Sequence, residues 1–469
     1  MPVRKLLLTR GRERGTGPHL RTAAAAAAVA LGLTAASVVL GPGADFGRPA
    51  RNAPALAAGA PLERLPADDL GRGTAALQQH LDAQPKDAAG WATLGVAYVE
   101  QARTSGDPTR YPKAEKAFTR SLALRPAAEN DAALAGQAVL AAARHDFASA
   151  LDLADRALRV NEYSERALAG RVDALVELGR YDEAYRAVRL ADRRRPGIPV
   201  FTRYAYVLEL RGDTEGARRV LTRALRSATA AADRAYVATA LGQLDFSRGR
   251  YRQALDHFAV ALRADPQHVP AQEGLGRTHA AQGQERKALK ALEEAARRQP
   301  LPGRVAALGE LHEAAGDRAE AARQYELAGT WMRLADANGV AGDLESALVA
   351  ADHGDPAEAL ASARAEWKRR ETVHTADALG WALHVNGRHR EALVYAKKAT
   401  APSPGYRDAS FLYHLGMIER ALGDGTQAAR HLRAALDLNP GFSPLGARRA
   451  EAALKTLPDP AGPSGRSAS

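Results

Sequence analysis

The 469-residue sequence predicts an all-α solenoid of about ten stacked helix–turn–helix repeats. Three observations carry that expectation. A motif returns at intervals close to 34 residues: Leu241-Gly242, Gly249, Tyr251, Ala254, Phe258, Ala261 and Pro266 are followed by Leu275-Gly276, Gly283, Ala288, Leu292, Ala295 and Pro300. Glycine with a polar residue behind it punctuates the chain at Gly179-Arg180, Gly212-Asp213, Gly249-Arg250, Gly283-Gln284, Gly316-Asp317, Gly387-Arg388 and Gly423-Asp424. Such pairs mark helices that end in a left-handed residue. No stretch alternates apolar and polar residues as a strand would. A unit this short cannot bury its own apolar face, so the copies must stack into a continuous core. Length alone would suggest about three domains. Because a stacked core has no single centre to outgrow, we expect one elongated domain over residues 68–457.

The first element is an N-terminal leader. Residues 1–21 carry Arg4, Lys5, Arg10, Arg12, Arg14 and Arg21 against Glu13 alone. Residues 22–40 then hold no charge over 19 positions. A basic start before an apolar run reads as an export signal or a membrane anchor, with the basic end kept inside. The run is just long enough to span a bilayer at about 1.5 Å per residue. It is rich in alanine, hence weakly apolar. Cleavage candidates at Ala53-Pro54-Ala55 and Ala55-Leu56-Ala57 lie far downstream of Leu40, so cleaved signal and uncleaved anchor both stand. Residues 41–67, rich in Gly, Pro and Ala, form a flexible tether.

Residues 68–84 read as an amphipathic helix on Leu70, Leu77 and Leu81, ahead of the first repeat. That repeat opens with Trp91, Leu94, Gly95 and Tyr98, carries the insert Thr104–Pro108, and closes with Ala114, Phe118 and Pro126. A small residue in each second helix then recurs at Ala150, Ala184, Ala217, Ala254, Ala288, Ala321, Ala359, Ala392 and Ala428. Small residues let helices approach where they cross, and Phe118, Phe258 and Tyr325 fill the gap to the next repeat. Pro126, Pro196, Pro266, Pro300, Pro404 and Pro440 end second helices. Two copies are weak. Around Ala150 the first helix (Leu134, Ala138, Ala141) lacks large residues. Between Ala321 and Ala359 the pattern drifts, with Trp331-Met332 behind a second helix and Asp343 where an apolar residue is expected; the readings are a bend in the solenoid or a site of its own, and irregular packing is the expected cause. Residues 443–457 read as a solvating end helix, and 458–469, rich in Pro, Gly and Ser, as a disordered tail.

This pattern resembles the tetratricopeptide repeat (TPR) over about residues 88–440. The resemblance implies a right-handed superhelix that binds proteins or peptides without catalysis. It also implies that first helices line the concave groove. Positions facing that groove are Tyr206 and Glu209; Tyr236, Gln243 and Phe246; Glu273 and Arg277; Glu310 and Glu313; His374, Asp377, Trp381 and His384; Tyr413, Met417 and Arg420. Early repeats offer only Ala and Val there. Aromatic and arginine residues in a groove suit peptide anchoring. The set Tyr206, Tyr236, Gln243, Phe246, Arg277, Asp377, Trp381, His384, Tyr413 and Arg420 is therefore the candidate partner-binding surface. The Lys and Asn clamp that some family members use for a carboxylate terminus is not visible.

Composition narrows the remaining classes. The net charge is +11, of which residues 1–21 supply +5, leaving a mild excess for the solenoid. Basic clusters such as Arg193-Arg194-Arg195, Arg218-Arg219 and Lys368-Arg369-Arg370 lack interleaved aromatics, so nucleic acid is not an expected partner. There is no cysteine, which excludes disulfides, a thiol nucleophile and cysteine-ligated zinc. No phosphate-binding, nucleophile-elbow or dinucleotide motif appears, and no cofactor is expected. His312-Glu313 lacks the second histidine of a zinc helix. His384 and His389 fall on opposite sides of a helix–turn boundary, and no shared metal is expected there. The Ala- and Arg-heavy composition looks bacterial. The chain thus reads as a non-catalytic scaffold recruiting a protein or peptide at the outer face of a bacterial membrane, attached through residues 22–40 if they are uncleaved. A cytoplasmic adaptor and a cell-wall or glycan binder using the groove aromatics are the alternatives. The partner, its pathway and the oligomeric state stay open.

Overall fold

The computed structural model describes residues 67–105, 108–337, 344–401 and 405–458. The N-terminal leader and tether, Asp343, Pro404, part of the 104–108 insert and nearly all of the tail lie outside the described residues. Within them there are 22 α-helices and no strand. Ten helix hairpins run from Ala88–Ser105 with Tyr111–Leu124 to Ala409–Ala421 with Gly425–Leu438. Ala67–Ala83 precedes them and Gly446–Leu454 follows. No helix among the described residues is long and apolar enough to cross a membrane.

The local signals act as their chemistry requires. All seven turn glycines have positive φ, between 67° and 90°, where a side chain would be strained. The Ala150 hairpin puts His145 in that place, at φ 62°, one of the few non-glycine types that tolerate it. Asp146, Asp213 and Asp424 follow such turns, and each accepts a backbone N–H of the next helix, a cap worth about 1 kcal/mol. Every recurrent alanine is buried. Phe258, fully buried, fills the space left by Gly242 and Gly274, whose added Cβ atoms would lie 2.6 and 2.3 Å from its ring. The drifting repeat is irregular in a specific way. Its second helix, Arg318–Ala337, runs 20 residues instead of the usual 14 and carries Trp331-Met332 within it, while the next first helix, Leu344–His353, is short at 10.

Stacking of hairpins winds the chain until late repeats meet early ones. Tyr181 Oη accepts the Val373 N–H at 3.1 Å. Arg370 bonds Glu177, and its Nε donates to Glu366 Oε2 at 2.9 Å. Gly212 lies so close to Gly405 that a Cβ would fall 2.8 Å from its carbonyl oxygen. Tyr251 Oη donates to Asn439 Oδ1 at 2.5 Å and accepts the Gly441 N–H at 2.7 Å, while Asn439 Nδ2 donates to the Phe246 carbonyl at 2.9 Å. Apart from the local Arg370–Glu366 bond, these contacts join residues 188 to 193 apart, so one superhelical turn takes between five and six repeats of about 34 residues. The result is a closed seam. Turns on one edge of the early repeats pack against connections between late ones.

Candidate functional site

Closure leaves a cavity of about 1420 Å³ inside the superhelix. First helices make most of its wall. They contribute from Glu165–Glu177 through Ala409–Ala421, so similar positions recur inward over those repeats. Asp173, Tyr206, Tyr236, Gln243, Phe246 and Arg277 line it from one side; Glu310, Asp352, His353, Asp377, Tyr406 and His414 line it from the other.

Buried ion pairs knit the wall. Arg203 grips Asp173 through two bonds of 2.8 Å, and Arg304 Nε reaches Glu273 Oε2 at 2.9 Å. Each pair links the first helices of neighbouring repeats, and the bidentate form is geometrically specific. A more acidic stretch surrounds Glu209, Asp377, Tyr406 and Asp408. Burial pushes the Glu209 and Asp408 carboxyls above their ordinary range; Arg248 works against this at both, while Asp408 adds to it at Glu209 and Asp377 adds to it at Asp408. Asp377 meets His414 Nδ1 at 2.9 Å. Burial opposes charge on His414, yet Asp377, joined by Asp352 and Asp408, outweighs it and raises the imidazole. At the seam the balance reverses. Burial, with Arg370 adding to it, lowers His374 to about 3, and the same two causes, joined by Arg369, lower His145 to about 3. Both imidazoles are neutral near pH 7.

The ten candidate residues divide. Tyr206, Tyr236, Gln243, Phe246, Arg277 and Asp377 line the cavity. Trp381 and Tyr413 do not face an open groove: they are 5% and 4% exposed and belong to the core around Leu379 and Ile418. Trp381 is stacked between His414, at 4.2 Å, and His384, at 5.0 Å, and its Nε1–H donates to Asp352 Oδ1 at 2.8 Å. His384 thus serves packing, and Arg420 is exposed away from the cavity wall. The reason is the extra layer of contacts from the next first helix, which covers positions that would be bare on an isolated repeat.

Two features escaped the residue pattern. His384 and His389, expected apart, approach to 3.1 Å between Nδ1 atoms because the Gly387 turn folds the second helix back beside the first. Glu310, Asp352 and His353, flagged by no local spacing, converge from two different first helices. The Asp173–Arg203 and Glu273–Arg304 pairs were legible in principle, as opposite charges 30 and 31 residues apart at matching repeat positions.

Comparison with known proteins agrees with this architecture. Residues 245–310 and 409–442 match tetratricopeptide repeat models, and neither model is of a catalytic family. The chain carries TPR repeats in an all-α solenoid. Solved structures similar to it include the APC/C hetero-tetramer Cut9-Hcn1, at 14% identity over 82% of this chain and 93% of that one, with a TM-score of 0.38. The type IV pilus biogenesis factor PilW matches at 20% identity over 42% of this chain and 90% of that one, with a TM-score of 0.37. The human IFIT1 dimer with m7Gppp-AAAA matches at 14% identity over 79% and 87%, with a TM-score of 0.45. No curated protein matches.

Proposed function

We propose that this protein is a scaffold that holds an extended segment of a partner protein inside its superhelical cavity, at the outer face of a bacterial membrane. TPR repeats are protein-interaction modules, and the cavity is the observation that supports this use of them. Its volume of about 1420 Å³ exceeds the roughly 300–1,000 Å³ of small-molecule sites. Its wall sets the aromatic faces of Tyr206, Tyr236 and Phe246 beside fixed charges such as Arg277 and Asp377. Aromatic anchors supply contact area and the ionic groups set register. The membrane location rests on the basic segment 1–21 and the uncharged run 22–40. For the glycan-binding alternative, Trp381 is packed into the core, whereas Tyr206, Tyr236 and Phe246 line the cavity.

Two experiments test the proposal. A photo-crosslinking residue at Gln243 in the full chain should capture a partner in cells, and Tyr236→Ala or Phe246→Ala should reduce that capture; equal capture from exposed Arg219 would refute use of the cavity. External protease added to spheroplasts should digest the repeats. Protected repeats in a soluble fraction would instead favour the cytoplasmic adaptor.

A further inference from the structure

The drifting repeat gathers side chains that a peptide-binding cavity does not need. Glu310 lies on Pro302–Ala315, and Asp352 and His353 end Leu344–His353. Each offers one ligand atom, and these atoms all lie within 4.8 Å of one another. His353 Nε2 is 3.3 Å from Glu310 Oε1. Among the described residues no lysine or arginine forms an ion pair with Glu310 or Asp352; the basic groups that act on Asp352 are the His414 and His353 imidazoles, and His353 also meets Glu310.

Neighbours hold all three in place. The Trp381 indole N–H donates to Asp352 Oδ1 at 2.8 Å. The Ser443 hydroxyl donates to Glu310 Oε2 at 3.3 Å from across the superhelix. The Tyr325 ring lies flat on the His353 imidazole, 3.9 Å away at 9°, and its own hydroxyl donates to Glu313 Oε2 at 2.9 Å. Outer groups that fix ligand orientation in this way are a regular part of metal sites. The arrangement draws on the first helices of two repeats, a second helix, a third repeat and the C-terminal segment, unlike a patch of acids along one surface helix.

Two carboxylates and one imidazole suit first-row divalent ions, which bond such groups at about 2.0–2.2 Å. Ligands at those lengths around a tetrahedral ion sit roughly 3.4 Å apart, so closing on an ion takes side-chain adjustments of about an ångström. We propose that Glu310, Asp352 and His353 bind a divalent first-row transition ion, Zn²⁺ or Mn²⁺, with a coordination position open to the cavity that all three line. The ion clamps the irregular pair of repeats and, through Ser443, the late segment folded against them. Its open position adds a binding point for a carboxylate or imidazole of whatever enters the cavity.

The test is calorimetric titration of the full chain with ZnCl₂ and with MnCl₂ after chelator treatment, with Co²⁺ as a spectroscopic substitute. One ion per chain is expected, with visible d–d bands for Co²⁺ and a higher unfolding temperature. Glu310→Gln and Asp352→Asn keep shape and should each weaken binding at least about tenfold, His353→Ala should abolish it, and Trp381→Phe should weaken it about 10- to 100-fold. Absence of saturable binding by either ion overturns the proposal. So does binding that survives in both Glu310→Gln and His353→Ala, or that is lost only in His384→Ala, which would assign the ion to the His384–His389 pair.

Discussion

Replacing Arg370 by Met should open the superhelix at its seam. Arg370 is 7% exposed and holds two carboxylates, Glu177 and Glu366, that are 4% and 1% exposed. Its guanidinium also lies 5.3 Å from the centre of the Phe147 ring. Met keeps much of the apolar stem contact but leaves Glu177 buried without its cation, while Glu366 keeps its bond to Arg369. Breaking a buried pair in this way costs about 3–5 kcal/mol, far more than the 0–1 kcal/mol or so of an exposed pair. Burial already pushes the Glu177 carboxyl upward, with Arg370 as the chief opposing influence, so loss of Arg370 favours protonation of that acid. A repeat array need not unfold in one step, and amide exchange is therefore the sharper assay. Protection should fall first around Tyr181 and Val373, joined across the seam at 3.1 Å, while the Phe258 core keeps its protection. Adding Glu177→Gln should recover part of the loss, because one stranded charge is removed. An Arg370→Met cost below about 1 kcal/mol, or a uniform loss of protection, would refute the view that this cluster fastens the seam.

Other outcomes follow from the same structure. His374 and His145, held near 3 in the folded chain against an ordinary 6.5, bind protons more readily when unfolded, so between those values stability rises with pH and is lost as pH falls. At pH 5 each costs about 2 kcal/mol relative to pH 7; raised carboxyls such as Glu209 act oppositely, so the comparison is with His374→Phe, whose urea-unfolding stability should fall by about 2 kcal/mol less over that range. Gly274→Ala places a Cβ 2.3 Å from the Phe258 ring and should cost about 1–3 kcal/mol by overpacking, whereas Phe258→Ala should cost about 3–5 kcal/mol; thermal unfolding separates the two from a neutral change. Tyr236→Ala and Phe246→Ala should each weaken binding of an identified partner peptide by about 2 kcal/mol, measured by fluorescence anisotropy, while Tyr163→Ala on the exposed surface should leave it unchanged.

Much of this protein is written in neighbouring residues. Helix ends, turn glycines, capping aspartates and the 34-residue spacing depend on backbone preferences and contacts spanning one or two repeats, and the residues that meet those demands lie close in sequence. The all-α solenoid follows from that register, and six of the ten candidate residues picked out by the resemblance to TPR proteins line the cavity. Curvature is different. The small rotation of each hairpin on the last accumulates over about 190 residues before Glu177 meets Arg370 and Tyr251 meets Asn439, and no local pattern records the sum. Tertiary structure therefore decided that the groove closes into a cavity, that Trp381 and Tyr413 are packed inside, and that Glu310, Asp352 and His353 converge. Each of these depends on which face a neighbouring repeat covers, a property of three-dimensional stacking.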